Sequence, residues 1–154
     1  MALEIERKFL VAENWSPPDD IEPKPIRQGY LTDSGSGTEV RVRAHGPRRL
    51  MTVKRSRSAS GTAVRDEIEF EIEDTVFDEL WQLSEGDRVE KLRYPVPIGE
   101  HLATVDVYVD RHDGLRVVEV EFDSEEAATG FQPPDWFGPD VTGDPRYSNR
   151  LLAS

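Results

Sequence analysis

The chain has 154 residues and no cysteine, so it is long enough for one domain with a hydrophobic core, while disulfides and thiolate metal sites are excluded. A formal net charge of -12 and a sequence pI of about 4.7 indicate an acidic surface, which disfavours binding to nucleic acid or to an anionic membrane. No apolar run approaches roughly 18 residues and no secretory signal precedes the first strand, so we expect a cytoplasmic protein.

Alternation of polar and apolar residues with a period of two predicts about eight β-strands. The predicted strands are residues 3–11, 26–33, 39–45, 50–56, 63–73, 88–96, 101–110 and 115–122. Short turns with Gly, Ser or Pro join most of them, including residues 34–37 and 56–63. We therefore predict a single domain over residues 1–154 with a mainly β (α+β) fold, in which eight antiparallel strands close into a barrel.

Helical patterns occur at three places. Residues 75–84 carry an apolar stripe that includes Phe77 and Trp81, Ser124 can cap a short helix at residues 125–129, and a third helix is predicted at residues 145–153. An apolar helix face must pack on an apolar sheet surface, and the outside of a barrel is the only such surface left for a covering helix. We therefore expect helices outside the barrel and charged strand faces inside, although an ordinary barrel with an apolar interior would explain any single strand.

The opening strand, LEIERKFLV, shows the charged face most clearly. Glu4, Glu6 and Lys8 lie at two-residue spacing and share one face, opposite Ile5 and Phe9. Across all strands this face carries the bases Lys8, Arg41, Arg43, Lys54, Arg65, Lys91 and Arg93 and the acids Glu4, Glu6, Glu67, Glu69, Glu71, Asp106, Glu119 and Glu121. Without these residues the chain keeps 12 bases and 23 acids, so bases are gathered on one face of an otherwise acidic protein, which indicates a local function.

The residue types on this face favour phosphate and a hard metal ion. Arginine binds phosphate oxygens through two parallel hydrogen bonds and lysine acts as a point charge, so a row of such bases suits a ligand with several phosphates. The carboxylate pairs Glu4/Glu6 and Glu119/Glu121 are suited to Mg²⁺ or Mn²⁺, whereas the three scattered histidines do not favour zinc. Bases for phosphate together with carboxylates for metal indicate phosphoryl transfer, and no P-loop motif is present.

In these motifs the sequence resembles the CYTH superfamily, also called triphosphate tunnel metalloenzymes. EIERK matches the family's ExExK signature, and QGYL, VRVR, TVK, EIEFEI, EKLRY, VDVY and VEVEF follow it in order over nearly the whole chain. The sequence looks like a short bacterial branch of the inorganic triphosphatase type, in which PPDWFGPDVTGDPRYSNRLLA corresponds to a characteristic C-terminal segment. The resemblance implies an eight-stranded tunnel that binds a triphosphate together with Mg²⁺ or Mn²⁺.

The resemblance also implies roles for individual residues. Metal ligands are expected at Glu4, Glu6, Glu119 and Glu121, with Asp106 beside them. Phosphate-binding bases are expected at Lys8, Arg41, Arg43, Lys54, Lys91 and Arg93. Arg65 is added because it lies on the same charged face of its strand. Catalytic roles are expected for Lys8, Tyr30, Glu67 and Glu69. Tyr30 is either a proton acceptor, if neighbouring cations lower the pKa of its phenol, or a hydrogen-bonding residue of the tunnel.

We therefore predict a metal-dependent hydrolase of inorganic triphosphate that acts on a small-molecule substrate as a monomer or homodimer. One alternative is an adenylate cyclase of the same family, or a hydrolase of nucleoside or thiamine triphosphate. The sequence shows no signature of an adenine pocket, which favours the first prediction. A further alternative is a polyphosphate-binding module without activity, against which the two complete acid pairs argue.

Overall fold

The computed structural model describes residues 2–57 and 63–154. Within these residues nine strands form: β1 (Ala2–Val11), β2 (Lys24–Tyr30), β3 (Thr38–His45), β4 (Arg48–Ser56), β5 (Ala63–Glu71), β6 (Arg88–Ile98), β7 (His101–Tyr108), β8 (Arg116–Glu121) and β9 (Phe137–Asp140). The α-helices are α1 (Asp74–Leu83), α2 (Glu125–Gly130) and α3 (Asn149–Ala153), and 3-10 turns occupy Asp110–His112 and Pro145–Tyr147. No helix in the described part of the chain has the length and apolar character needed to cross a membrane.

Eight of the strands close into an antiparallel barrel. They are hydrogen-bonded in the order β5-β4-β3-β2-β6-β7-β8-β1, and pairing of β1 with β5 closes the ring. The first half of β1 pairs with β5 along one edge, and β9 pairs with Phe9 and Val11 farther along that edge. The predicted eight-stranded antiparallel barrel is confirmed, and β9 lies outside it as an addition that the sequence did not reveal.

The interior of the barrel is polar and its hydrophobic core lies on the outside. Ile5 and Phe9 of β1 are 4% and 2% exposed, and they belong to a cluster that includes Val105, Val118 and Ala128 of α2. Their neighbours in sequence, Glu4 and Glu6, point to the opposite face and line a cavity. The barrel is therefore inverted relative to an ordinary one, as expected, because its charged residues face inward and its apolar residues face outward.

Helix α1 covers the outer face of the barrel at β2 and β3. Phe77 is 1% exposed and packs with Val42 and Ala44 of β3. At Gly29 of β2 an added Cβ would lie 2.2 Å from the Oγ of Ser84, so a glycine is needed there for the end of α1 to approach the sheet.

A second outer layer consists of α2, β9 and the segment between β1 and β2. The Oγ of Ser124 accepts a hydrogen bond from the backbone N–H of Ala127 at 3.0 Å, so the predicted helix cap is present. Trp15 stacks on Trp136 with ring centroids 5.5 Å apart, and both pack against the outer cluster. These tryptophans therefore serve packing.

Helix α3 closes one end of the barrel instead of covering its side. Leu152 and Ala153 pack against Tyr30, Val89 and Val117, which share strand faces with the interior residues. Arg111 and His112 hold α3 from outside, since their side chains contact the backbone oxygen of Leu152 at 3.0 and 2.6 Å. The barrel interior is therefore a charged chamber. One end of it is closed by apolar side chains, here called the apolar floor, which are Tyr30, Val89, Val117, Leu152 and Ala153.

Several predicted boundaries were wrong. The second strand ends at Tyr30 instead of residue 33, the fifth at Glu71 instead of 73 and the seventh at Tyr108 instead of 110. The helix predicted at residues 145–153 is a 3-10 turn followed by α3, because Ser148 has an extended backbone and caps α3 through its side chain. The turn predicted at residues 56–63 lies largely outside the described residues.

Candidate active site

The interior of the barrel contains a cavity of about 850 Å³. Its walls carry most of the charged residues that the strand pattern predicted: Glu4, Glu6, Lys8, Arg41, Arg43, Lys54, Arg65, Glu67, Glu69, Arg93, Glu119 and Glu121. A second cavity of about 390 Å³ shares Arg93, Glu119 and Glu121 with the first and extends toward His101. The alternating residues of separate strands thus form one charged chamber.

A group of three carboxylates lies on one wall of the chamber. Glu4, Glu6 and Glu121 each offer an oxygen, and these oxygens lie within 4.8 Å of one another. Burial, with Glu119 and Glu4 nearby, raises the pKa of Glu6 to about 8. Burial and the neighbouring Glu4 also raise the pKa of Glu121. These carboxylates repel one another and favour a cation between them.

Two bases partly compensate this negative charge. Lys54 Nζ lies 2.7 Å from Glu4 and 3.5 Å from Glu67, and Arg65 Nη2 lies 2.8 Å from Glu4 and 3.5 Å from Glu6. Burial alone would raise the pKa of Glu4, but Lys54 and Arg65 bring it below its ordinary value. Arg65 is therefore tied to the carboxylate group instead of standing free in the chamber.

The opposite charge dominates at β3. Arg41 and Arg43 are 4% and 8% exposed, and the Nε of each has no hydrogen-bond partner among the described residues. Within that same set Arg43 has no carboxylate within 4.0 Å, while Arg41 lies 3.7 Å from Glu39. Burial and the nearby guanidinium groups of Arg41 and Arg93 lower the pKa of Arg43 to about 9. Buried cations with unused donors indicate an anion site.

Asp106 lies among the bases and not in the group of three carboxylates. Its side chain is fully buried, and it accepts hydrogen bonds from Arg93 Nε at 2.8 Å and Nη2 at 2.9 Å. Lys91 Nζ lies 2.7 Å away and is also fully buried. Lys91 and Asp106 are not on the wall of either described cavity. The geometry therefore favours Asp106 as a partner of two bases, and its predicted role as a metal ligand remains a prediction.

Lys8 and Glu119 join the acidic and basic parts of the chamber. Lys8 Nζ lies 3.2 Å from Glu119 and donates to the backbone oxygen of Tyr147 at 2.9 Å. Burial alone would lower the pKa of Lys8, but Glu119 and Glu6 raise it, so its ammonium keeps its proton. The same pairing lowers the pKa of Glu119, which burial alone would raise. Glu119 lies outside the group of three carboxylates.

Tyr30 lies at the border between the chamber and its apolar floor. Its phenol oxygen accepts a hydrogen bond from Gln28 Nε2 at 2.9 Å. Burial and the charge of Glu39 raise the pKa of Tyr30 and outweigh the effect of Arg41 and Arg43. This geometry suits a hydrogen-bond donor better than a proton acceptor.

Glu67 and Glu69 follow each other on the inner face of β5. Glu69 accepts a hydrogen bond from the hydroxyl of Thr52 at 2.7 Å. Burial, with Glu4 and Glu69 nearby, raises the pKa of Glu67 despite the contact with Lys54. The Glu67 carboxylate is therefore more basic than an ordinary glutamate and is suited to accept a proton.

Three residues of α3 line the cavity, Asn149, Arg150 and Leu151, and the two polar ones, Asn149 and Arg150, were not predicted as site residues. Asn149 Oδ1 accepts hydrogen bonds from Lys91 Nζ at 3.2 Å and from the hydroxyl of Tyr108. Glu39, which lies two residues before Arg41 on β3, is 3.6 Å from Arg65 and also lines the chamber. The two residues of α3 follow no strand alternation, so only the C-terminal segment as a whole could have indicated them.

The donors around Glu4, Glu6 and Glu121 fit a hard divalent cation. They are carboxylate oxygens only, and carboxylates bind Mg²⁺ and Mn²⁺, whereas the sulfur and imidazole ligands typical of zinc are absent from this group. The raised pKa of Glu6 supports the same conclusion, because a cation there would offset both the burial and the repulsion from Glu119 and Glu4 that raise it. The specific ion is not determined by these donors.

Comparison with known proteins identifies relatives of this chain. A model of the CYTH domain matches residues 2–133. The inorganic triphosphatase of Nitrosomonas europaea is 46% identical over 152 residues, which are 97% of this chain and 96% of that protein. The inorganic triphosphatase of Acetivibrio thermocellus is 35% identical over 153 residues, which are 99% and 94% of the two chains. The crystal structure of the inorganic triphosphatase NE1496 superposes with a TM-score of 0.70 at 44% identity, covering 99% of this chain and 95% of that one.

Proposed function

Because this chain belongs to the CYTH domain family, we propose that it hydrolyses inorganic triphosphate to pyrophosphate and orthophosphate with the help of a divalent cation. The observation that carries this proposal is the division of one enclosed chamber into two parts. A group of three carboxylates stands on one wall, and buried arginines with unused nitrogen donors stand on another. A chain of adjacent phosphates carries negative charge along its length and is the kind of ligand that both parts fit.

The carboxylates Glu4, Glu6 and Glu121 would hold the cation, either Mg²⁺ or Mn²⁺. When bound, it neutralises charge on the phosphate oxygens next to it, which is the main need of phosphoryl transfer. Lys54 and Arg65, which lie 2.7 and 2.8 Å from Glu4, keep that carboxylate ionised and oriented.

The remaining bases would bind the substrate. Arg41 and Arg43 are assigned to phosphate oxygens because both have unused donors in the chamber. Arg93 lines the chamber, and Asp106 holds its guanidinium through two hydrogen bonds. Lys91 contacts the same carboxylate at 2.7 Å. We assign Asp106 to positioning these two bases.

The proton transfer can be assigned to side chains of this chamber. The oxygen of a water attacks the terminal phosphorus, the bridging P–O bond breaks, and pyrophosphate leaves with the bridging oxygen. We assign Glu67 to accept the water proton, because burial and the neighbouring acids raise the pKa of its carboxyl and make the carboxylate a stronger base than an ordinary glutamate. Lys8 and Tyr30 keep their protons and donate hydrogen bonds to the charge that develops in the transition state.

The decisive experiment measures phosphate release from tripolyphosphate, ATP and thiamine triphosphate with Mg²⁺ or Mn²⁺, together with cyclic AMP formation from ATP. We expect turnover to be fastest with tripolyphosphate and to disappear with chelator. Glu121→Gln should abolish it while the folded state remains. Cyclic AMP formation without comparable tripolyphosphate cleavage would overturn the proposal in favour of a cyclase, and tight binding without turnover would favour a binding module.

The cytoplasmic location, the monomeric or homodimeric state, and the absence of nucleic-acid and membrane partners remain predictions from the sequence. The acidic surface, with a formal net charge of -12, supports the prediction on nucleic acid.

A further inference from the structure

Helix α3 brings two polar side chains into the chamber beside the charged residues of the strands. Asn149 and Arg150 both line the cavity, together with Arg41 and Tyr30. Neither residue belongs to the alternating strand pattern that defines the rest of the site. Their contacts indicate which of their atoms remain available to a ligand.

The amide of Asn149 has a fixed orientation. Its Oδ1 accepts from Lys91 Nζ and from the hydroxyl of Tyr108. Lysine carries only donors, so the oxygen and not the NH₂ group must face it. With both acceptor directions of Oδ1 used, the NH₂ group is the part of this side chain left to face the cavity. Asn149 therefore offers two N–H donors to whatever fills the chamber.

The guanidinium of Arg150 is held on two sides and has an unused third side. Nε donates to the backbone oxygen of Thr32 at 2.8 Å, and Nη2 lies 3.0 Å from Asp87. The plane stacks over the ring of Tyr30 at 5.3 Å, and the side chain is 10% exposed. Nη1 is buried and has no hydrogen-bond partner among the described residues. A buried, fixed N–H donor without a partner is costly unless a ligand completes it.

We propose that α3 is part of the substrate site, with the Asn149 NH₂ group and the Arg150 Nη1 donating hydrogen bonds to oxygens of the phosphate chain. This inference rests on the proposed function and adds two specific contacts to it. The helix that closes the barrel floor then also recognises the ligand. The Arg150 donor lies beside Tyr30, and the Asn149 amide lies beside Lys91 and Tyr108.

Asn149→Asp separates a substrate contact from a structural role. The aspartate keeps the shape and the acceptor for Lys91 and Tyr108 but replaces the NH₂ donor with an oxygen. If Asn149 contacts phosphate, this variant should raise KM for tripolyphosphate by about tenfold or more, at least as much as Asn149→Ala. If Asn149 only supports Lys91, the aspartate variant should raise KM by no more than the roughly two- to threefold effect of one added negative charge on the chamber wall, while the alanine variant is more strongly impaired, and the proposal fails. Thermal unfolding without ligand should be close to wild type for the aspartate variant.

Arg150→Gln tests the second donor, with Arg146→Gln as the matched control. The Arg146 side chain is 77% exposed, pairs with Asp144 and is not on the cavity wall. We expect Arg150→Gln to raise KM by about tenfold or more with a smaller change in kcat, whereas Arg146→Gln leaves both close to wild type. Asp87→Asn should leave KM close to wild type, because it removes the anchor on Nη2 and not the Nη1 donor.

Two results would separate this inference from the function on which it rests. If wild type neither binds nor cleaves tripolyphosphate, the proposed function is wrong. If wild type is active but Asn149→Asp and Arg150→Gln keep its KM, the proposed function stands and the inference about α3 is wrong. A raised KM in both variants with unchanged ligand-free thermal stability supports the inference.

Discussion

Asp106→Asn should destabilise the protein strongly before any metal or substrate is added. Asp106 is fully buried and balances the charges of Lys91 and Arg93 through contacts of 2.7 to 2.9 Å. Asparagine keeps the shape and one oxygen but removes the negative charge. Two buried cations then remain without their counter-ion.

Removing one partner of a buried ion pair costs about 3–5 kcal/mol, because the other charge stays desolvated. With a urea dependence of about 2 kcal/mol per M, the midpoint of unfolding should fall by about 1.5–2.5 M. The pKa of Asp106 is lowered to about 2 from 3.8 by Lys91 and Arg93, although burial alone would raise it. Its contribution is therefore complete only above about pH 5 and is lost progressively as the pH falls to about 1, so the difference in stability between wild type and Asp106→Asn should shrink in acid.

The assay is urea unfolding of metal-free protein at pH 7 and again at decreasing pH. Glu71→Gln is the control, because its ion pair with Arg48 is exposed and should be worth at most about 1 kcal/mol. A metal-free Asp106→Asn protein as stable as wild type, with weaker Mg²⁺ binding, would refute the reasoning. That outcome would instead assign Asp106 to the metal.

Three other predictions test separate parts of the structure. Arg43→Ala should raise KM for tripolyphosphate by about tenfold or more in steady-state kinetics, because it removes a buried cation that lacks a counter-charge within the described residues; an unchanged KM would contradict this. The free energy of unfolding of metal-free protein should decrease as the pH rises from 5 to 8, since the folded pKa of Glu6 is about 8, and saturating Mg²⁺ or Glu6→Gln should weaken this dependence in urea titrations. Phe77→Ala should cost about 3–5 kcal/mol in the same assay, whereas Leu83→Ala, 75% exposed, should cost little; equal effects would mean that α1 does not cover a core.

The inverted barrel was predictable because each strand records both of its faces in the sequence. Glu4 and Ile5 alternate along β1, and the stripe of α1 required an apolar surface outside the barrel. The same regularity predicted which side chains share the interior. It could not predict how they pair there, because pairing depends on register and on the tilt of strands that are distant in sequence.

Asp106 and Arg65 show this limit. The alternation along β7 placed Asp106 on the inner face with other acids. The strand register, however, puts Arg93 of β6 directly opposite Asp106, so Asp106 pairs with bases. Arg65 likewise pairs in register with Glu4 across β1 and β5. The sequence could indicate an interior of mixed charge, whereas the division into acidic and basic parts follows from these cross-strand neighbours.

The contributions of β9 and α3 could not be predicted for a different reason. Both elements are short, and their positions depend on tertiary contacts more than on local pattern. The FGPD strand contains a proline and a glycine, which weaken any strand signal, and it forms because an edge of β1 is free beyond the β5 pairing. Asn149 and Arg150 become site residues only because α3 folds over the barrel end.

The inversion of the barrel also separates the consequences of mutation along each strand. On β3, Val42 packs beneath α1 while its neighbours Arg41 and Arg43 face the chamber. On β3, substitutions should therefore alternate in effect residue by residue, with losses of abundance where the side chain faces outward and losses of turnover in well-folded protein where it faces the chamber. Inner residues that balance buried charges, such as Asp106 on β7, should affect abundance as well. A complete substitution scan of β3 read for both traits would show two period-two signals in opposite phase, and a strand of a barrel with an ordinary apolar interior would show no such separation.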